Sequence, residues 1–467
     1  MSDCCCISRK TCATLKCFLT KTLFRRRIII LNGETCYGRG RERASNLING
    51  STEHVKLAGS EDKMMQSGLP RRCMEFIKKE TVLSIALLLA VISSLVILPD
   101  AEYLNYIDFR TLGILFCLMA VMAGLQKIGV FRWIAGKLLQ QVRGVRQLVL
   151  ILVMLCFIFS MFITNDVALI TFVPFTFTVL KLAGEEQAER LAVPVVVMQT
   201  IAANLGSMLT PIGNPQNLYL YGKSGMGMGE FLGLMLPYTL VSLVLLVVWC
   251  LWIGKGTAGE DVGGAGEDIG TAGRSEGATE HREVSVEWQR TSFNRDTKAL
   301  AAYLILFVLC LLTVARVVPY WITLIVVIAV MCLVDRQVLA RVDYALLLTF
   351  VGFFVFIGNM GRIPAFRSFL ENIISGNEVI TAIVSSQVIS NVPAALLLSG
   401  FTQNYSALII GTNLGGLGTL IASMASLISF KYIGKEKKEQ KGTYLIYFTV
   451  ANVIFLAILL VLAWWLG

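Results

Sequence analysis

The chain has 467 residues, 55% of them hydrophobic and only 15% charged, with a mean hydropathy of +0.69. Apolar runs of about twenty residues recur along it, the length a helix needs to cross a bilayer, and the alternating pattern of a membrane β-barrel is absent. The net charge of +10 is no nucleic-acid signal: residues 1–79 hold sixteen Lys/Arg against seven Asp/Glu, so nearly all the excess precedes the first apolar run. Such a flank suits the cytoplasmic side of a membrane, held near anionic lipid.

Seven of the twelve cysteines lie in the same segment (Cys4, Cys5, Cys6, Cys12, Cys17, Cys36 and Cys73) at spacings that match no zinc or disulfide framework. The other five sit singly in apolar segments and read as packing residues. Ile28 to Leu31 is too short for a signal-peptide core. Residues 1–79 are therefore expected to be a basic, disordered cytoplasmic segment, with Met74 a candidate natural start.

From there the apolar segments follow in order. Residues 81–98 predict a first span leaving the cytoplasm, and 109–125 a return to it, where Lys127, Arg132, Lys137, Arg143 and Arg146 collect. Residues 131–142 are amphipathic and fit the membrane interface. The run 148–182 is too long for one span and is interrupted by Thr164-Asn165-Asp166, which predicts a re-entrant hairpin with that triplet at its tip. Residues 191–221 cross outward with a break, and 231–252 cross back. Residues 254–298, rich in Gly, Glu and Thr, read as a flexible cytoplasmic linker.

An additional span at 299–317 precedes spans at 321–334 and 344–360, a second hairpin at 379–401, and spans at 408–430 and 444–465. This half resembles the first. Asp108 to Phe131 aligns without gaps to Asp343 to Phe366. Ile163-Thr-Asn-Asp-Val-Ala matches Ile389-Ser-Asn-Val-Pro-Ala, and Asn204-Leu-Gly-Ser matches Asn413-Leu-Gly-Gly. Three polar landmarks in one order predict a duplication. Four full spans in 80–253, followed by the additional one, make the second copy (within 299–467) inverted. The sum is an all-α polytopic membrane protein of about nine spans plus two hairpins, each repeat with a re-entrant hairpin and a broken helix. The N-terminus lies in the cytoplasm and the C-terminus outside a cell (inner) membrane. Lys431, Lys435, Lys437, Lys438 and Lys441 then fall inside, as the positive-inside rule asks.

The chemistry is expected at the interruptions. Asn204 to Asn217 places three asparagines, two glycines and two prolines inside an apolar segment, which only a cavity-lining or protein-buried backbone tolerates. Its unwound carbonyls suit Na⁺, and the half-helix starts at the two tips suit an anion. Asp166 is the one carboxylate deep in a predicted membrane segment, with no nearby cation in sequence. A charge there costs about 2.5–3.5 kcal/mol on insertion scales, so it calls for a bound cation or a proton, or else serves as a helix cap. The second break keeps its glycines but loses the prolines and asparagines by Ile421-Ala-Ser-Met-Ala-Ser426, so the two half-sites should differ.

Phe162-Ile-Thr-Asn-Asp-Val, Thr210-Pro-Ile-Gly-Asn-Pro-Gln-Asn217 and Ile389-Ser-Asn-Val resemble the ion transporter superfamily over about residues 80–467, a group that includes citrate transporters, divalent-anion:sodium symporters and arsenical pump membrane proteins. The resemblance implies substrate contacts at Thr164, Asn165, Ser390, Asn391, Asn413 and Thr419. It implies cation contacts at Asp166, Asn204, Gly206, Thr210, Gly213, Asn214 and Asn217, with Gly415 and Gly418 in the second break, and a possible homodimer. Asp166 and Val392 replace the tip threonine of the dicarboxylate symporters, and Asn-Asp at the first tip is nearer the arsenical-pump branch.

Other motifs carry little. Gly222-Lys-Ser-Gly225 matches the nucleophile motif of rhomboid-type proteases, but His54 and His281, the two histidines, both lie in polar segments. The Gly225-Met-Gly-Met-Gly229 run opens no βαβ unit, and HExxH and Walker A patterns are absent. The expectation is a secondary active transporter and no enzyme. It would move a small carboxylate or inorganic oxyanion, coupled to Na⁺ or H⁺, with no cofactor, no metal beyond Na⁺ and no nucleic-acid partner. Arsenite efflux and Na⁺/H⁺ antiport are the alternatives.

Overall fold

The structure, a computed structural model, describes residues 76–77, 80–140, 142, 144–257 and 297–466. The expectations for most of residues 1–79 and for the body of the linker lie outside the described residues. The described residues are helical, with no β-strand among them.

The first half runs α1 (Thr81–Val96), α2 (Tyr103–Tyr106), α3 (Phe109–Ile128), α4 (Val130–Leu139), α5 (Val145–Phe159), α6 (Asn165–Ala183), α7 (Glu185–Ser207), α8 (Pro215–Ser224) and α9 (Met228–Ile253). After α10 (Thr297–Val314) the same series returns: α11 (Tyr320–Val334), α12 (Arg336–Leu339), α13 (Tyr344–Gly361), α14 (Pro364–Ile374), α15 (Glu378–Ile389), α16 (Asn391–Leu398), α17 (Tyr405–Leu414), α18 (Met424–Glu436) and α19 (Lys441–Leu466). Every element of one half has its counterpart in the other, and α10 stands outside the repeat. Asp108 and Asp343, aligned in sequence, do the same work: each caps its helix by accepting a backbone N–H, from Thr111 at 2.9 Å and Leu346 at 3.0 Å.

This is an all-α polytopic membrane protein. Among the described residues six helices are long and apolar enough to cross a membrane (α3, α6, α9, α10, α13 and the α19 segment), and α1, α5, α11 and α15 are shorter apolar helices. The packing inverts the pattern of a soluble protein. Along α9, Leu236, Leu240, Val244, Val248 and Leu251 are exposed, while Tyr238, Ser242, Leu246 and Cys250 are buried. Hydrocarbon is as apolar as leucine, so helices associate here through small residues and hydrogen bonds. A Cβ on Gly352 would come within 3.1 Å of Ala86, which lets α13 lie close on α1. Asn359 then ties α13 to Ser93 at 3.1 Å and Tyr103 at 2.9 Å.

The halves interlock. α1 packs on α13, and reciprocally α11 packs on α3. α7 lies on the hairpin arms α5 and α6, and α17 on α15 and α16. The second piece of each broken helix crosses to the other half, α8 against α16 and α17, α18 against α6 and α7. This crossing brings the two breaks together.

Several elements differ from the sequence reading. α7 starts at Glu185 rather than near 191, because its first turn is acidic and runs outside the apolar stretch. The short α2 and α12 and the amphipathic α14 were not anticipated: four residues carry no periodic signal, and α14 is too short and too polar on its Arg367–Glu371 face to read as a span. At the helix ends, Lys127 pairs with Asp335 and Arg362 with Asp100. These hydrogen bonds hold both carboxyls below the usual aspartate range.

Candidate functional site

Where the broken helices cross, asparagines from both halves bond to one another. Asn204, one turn before the end of α7, accepts from Asn165 Nδ2 of the first tip at 3.0 Å and from Ser423 Oγ of the second half at 3.0 Å. Its own Nδ2 donates to the Gly416 carbonyl at 3.3 Å. The mirror contact comes from Asn413, near the end of α17. It accepts from Asn214 Nδ2 at 3.1 Å and donates to Asn217 Oδ1 at 2.6 Å. All five of these asparagines are buried, Asn217 at 0% exposure. A buried amide needs partners for both its ends, and Asn204, Asn214, Asn217 and Asn413 find partners in the opposite half.

The hairpin tips meet the breaks by one rule. Asn165 N–H donates to the Gly213 carbonyl at 3.1 Å, and Asn391 N–H to the Ala422 carbonyl at 3.0 Å. Asn165 Oδ1 accepts the Asp166 N–H at 3.0 Å, and Asn391 Oδ1 the Val392 N–H at 2.9 Å. Thr210 Oγ1 donates to the Met161 carbonyl, as Thr419 Oγ1 does to the Gln387 carbonyl at 3.1 Å. Ser390 turns the second tip alone, at φ +75, a region disfavoured for a side chain. Its Oγ lies 3.4 Å from the Ala422 carbonyl. Thr164 is the residue before α6 and makes no side-chain cap bond.

The glycines allow this closeness. A Cβ on Gly206 would lie 2.0 Å from the Phe157 carbonyl oxygen, and one on Gly213 2.1 Å from that of Ser207. In the second half a Cβ on Gly415 would lie 2.6 Å from Ser386 Oγ.

Asp166 stands apart from this web of satisfied groups. As a residue it is half-buried, but its Oδ1 is sealed from solvent and has no hydrogen-bond partner. Nothing caps through Oδ1, so the cap reading of this side chain finds no hydrogen bond there.

The structure thus gathers Asn165, Asn204, Asn214, Asn217, Asn391 and Asn413 into one centre, with Gly206, Gly213, Thr210 and Ser390 as its immediate supports. Thr419 lies at its edge and is exposed. Sequence reasoning missed Ser423, which stands before α18 where Asn214 stands before α8 but turns its hydroxyl to Asn204 instead of capping its own helix, and Gln387, an amide near the end of α15. It also missed Tyr219, whose hydroxyl lies 2.9 Å from Ser399 Oγ while its ring packs on Phe350 and Phe354 of α13.

Comparison with known proteins finds transporters. The citrate transporter family model matches residues 74–407. The inner membrane protein YbiR of Escherichia coli is 31% identical over 331 residues, covering 70% of this chain and 80% of that protein. An uncharacterized transporter of Methanocaldococcus jannaschii is 29% identical over 358 residues, 75% of this chain and 87% of that one. A shorter match, 33% over 159 residues, covers 34% of this chain and 32% of the silicon efflux transporter LSI3 of Oryza sativa. The chain belongs to the citrate transporter family and is a transporter integral to a membrane rather than an enzyme.

Proposed function

We propose that the protein is a secondary active transporter that moves a small anion, a carboxylate or an inorganic oxyanion, coupled to Na⁺ or H⁺ by alternating access. The observation that carries this reading is the crossing of two broken helices at a pair of hairpin tips, beside a buried carboxylate oxygen with no partner. A transporter site of this build presents backbone and half-helix ends to solutes in a region without water. The first half, with Asp166, Asn204, Gly206, Thr210, Gly213, Asn214 and Asn217, is read as the cation side. The second tip, Ser390 and Asn391, with Asn413, Thr419 and the first tip's Thr164 and Asn165, is read as the anion side.

The inverted topology of nine spans and two re-entrant hairpins, with the N-terminus in the cytoplasm, belongs to the same proposal. Lys127–Asp335 and Lys181–Glu436 join helix ends that the charge ladder assigns to the inside, and Arg362–Asp100 joins ends assigned to the outside. The unpaired Asp166 also favours a second reading, efflux or cation/proton antiport, in which that carboxylate is the shared carrier.

The test is uptake into proteoliposomes of a panel of labelled citrate, sulfate, phosphate and arsenite under imposed Na⁺ and pH gradients. Accumulation of one anion that collapses without a cation gradient is expected; equal uptake with and without gradients would mark a passive channel. Asn391→Ala is expected to weaken the affinity for the transported anion about tenfold, through loss of a buried hydrogen-bonding side chain. Unchanged affinity would remove Asn391 from the site.

A further inference from the structure

The two breaks have the same shape and different fastenings. In the first, the Asn217 amide donates to the carbonyls of Ser207, Met208 and Thr210 at 3.5, 3.3 and 3.3 Å. The break is tied by the helix that follows it. The corresponding residue in the second half is Ser426, which is wholly buried and whose hydroxyl finds no partner. A serine side chain is too short to repeat the amide's reach.

The second break is fastened from the other direction, by Gln387 in the last turn of α15. Its Nε2 donates to the Gly415 and Leu417 carbonyls at 3.0 and 2.9 Å. Its Oε1 accepts the Thr419 N–H at 2.8 Å, and Thr419 Oγ1 donates back to the Gln387 carbonyl at 3.1 Å. Gly418, at φ +110, passes so close that a Cβ there would lie 2.3 Å from Gln387 Oε1. The equivalent of Gln387 in the first hairpin is Met161, which has no amide and meets its break only through its backbone carbonyl.

We propose that Gln387 is the positioning residue of the second half-site: by bridging the hairpin arm to residues 415–419 it fixes how that break is presented to the anion. The inference rests on the reading of the second half as the anion side. The stretch of chain it holds is also the more open one, since Thr419 and Ile421 are exposed whereas their counterparts Thr210 and Ile212 are half-buried and buried. A bridge from arm to break makes the two move as one body. The first break also meets its hairpin, through Thr210 and the Asn165 N–H, but the amide that spans it is Asn217 of the helix that follows. Loss of Gln387 should therefore loosen the anion side and spare the cation side.

The test uses the purified full-length chain, its Gln387→Met and Gln387→Glu variants, and the double variant Gln387→Met with Ser426→Asn, which moves the first half's fastening into the second. Hydrogen–deuterium exchange across residues 415–422 should rise about tenfold in both single variants, and the double variant should recover most of the protection. Thermal shift should show the citrate midpoint in NaCl weakened about tenfold, with the NaCl midpoint measured without citrate within about twofold of the parent. Exchange unchanged in Gln387→Glu, or sodium and citrate responses lost together, would overturn the proposal. A parent protein that does not respond to citrate would count against that anion as substrate, while the exchange result would still decide the positioning role.

Discussion

Asp166→Asn is expected to abolish gradient-driven transport, by at least about tenfold, while the protein folds and melts as well as the parent or better. The carboxylate's Oδ1 is buried without a partner. An ionised group in that position costs about 2.5–3.5 kcal/mol on insertion scales, and a neutral amide of the same shape costs less. A residue retained only for stability would not be built this way. A bound cation or proton offsets the cost during the cycle, and asparagine cannot take up either as a charge partner. Reconstituted uptake under Na⁺ and pH gradients, paired with thermal unfolding in detergent, checks both halves of the expectation. A variant that still accumulates anion against a gradient would show that coupling runs elsewhere.

Gly206→Ala is expected to lose most of the folded protein, and its counterpart Gly213→Ala to do the same. At Gly206 the new methyl would sit 2.0 Å from the Phe157 carbonyl oxygen and 2.5 Å from Ser160 Oγ. At Gly213 the neighbour is the Ser207 backbone, whose carbonyl carbon and Cα would both lie 2.7 Å away. Neither contact is with a flexible tip, so the backbone itself must move. Overpacking of this kind costs about 3 kcal/mol, a large part of the total stability of a typical fold. Moreover, the shift would pull Asn204 from Asn165 and Ser423. Gly136→Ala, with nothing within 4 Å of the added carbon, is the matched control and should be neutral or slightly stabilising. Monodisperse yield after detergent extraction separates the three; a Gly206→Ala protein as abundant and stable as the control would refute the close-approach argument.

What the sequence by itself determined is the set of interruptions. Polar residues in a membrane segment stand out because the solvent there is hydrocarbon, so Thr164 to Asp166, Asn204 to Asn217, Ser390-Asn391 and Asn413 to Thr419 were legible as interruptions from the sequence. The duplication was legible for the same reason, and the structure repeats it element by element down to the caps at Asp108 and Asp343.

The tertiary structure alone decided how the interruptions are joined. That Asn204 is held by Ser423 and Asn413 by Asn214 and Asn217 depends on the broken helices crossing between halves, a contact more than 190 residues apart in sequence that leaves no local pattern. Gln387 was invisible because one amide in an apolar arm reads the same whether it faces a neighbouring helix or a break. The asymmetry of Asn217 and Ser426 was visible as a difference between letters. Its meaning, one break spanned by an amide from the helix that follows it and the other by an amide from its hairpin arm, follows from which buried carbonyls lie within reach of an amide.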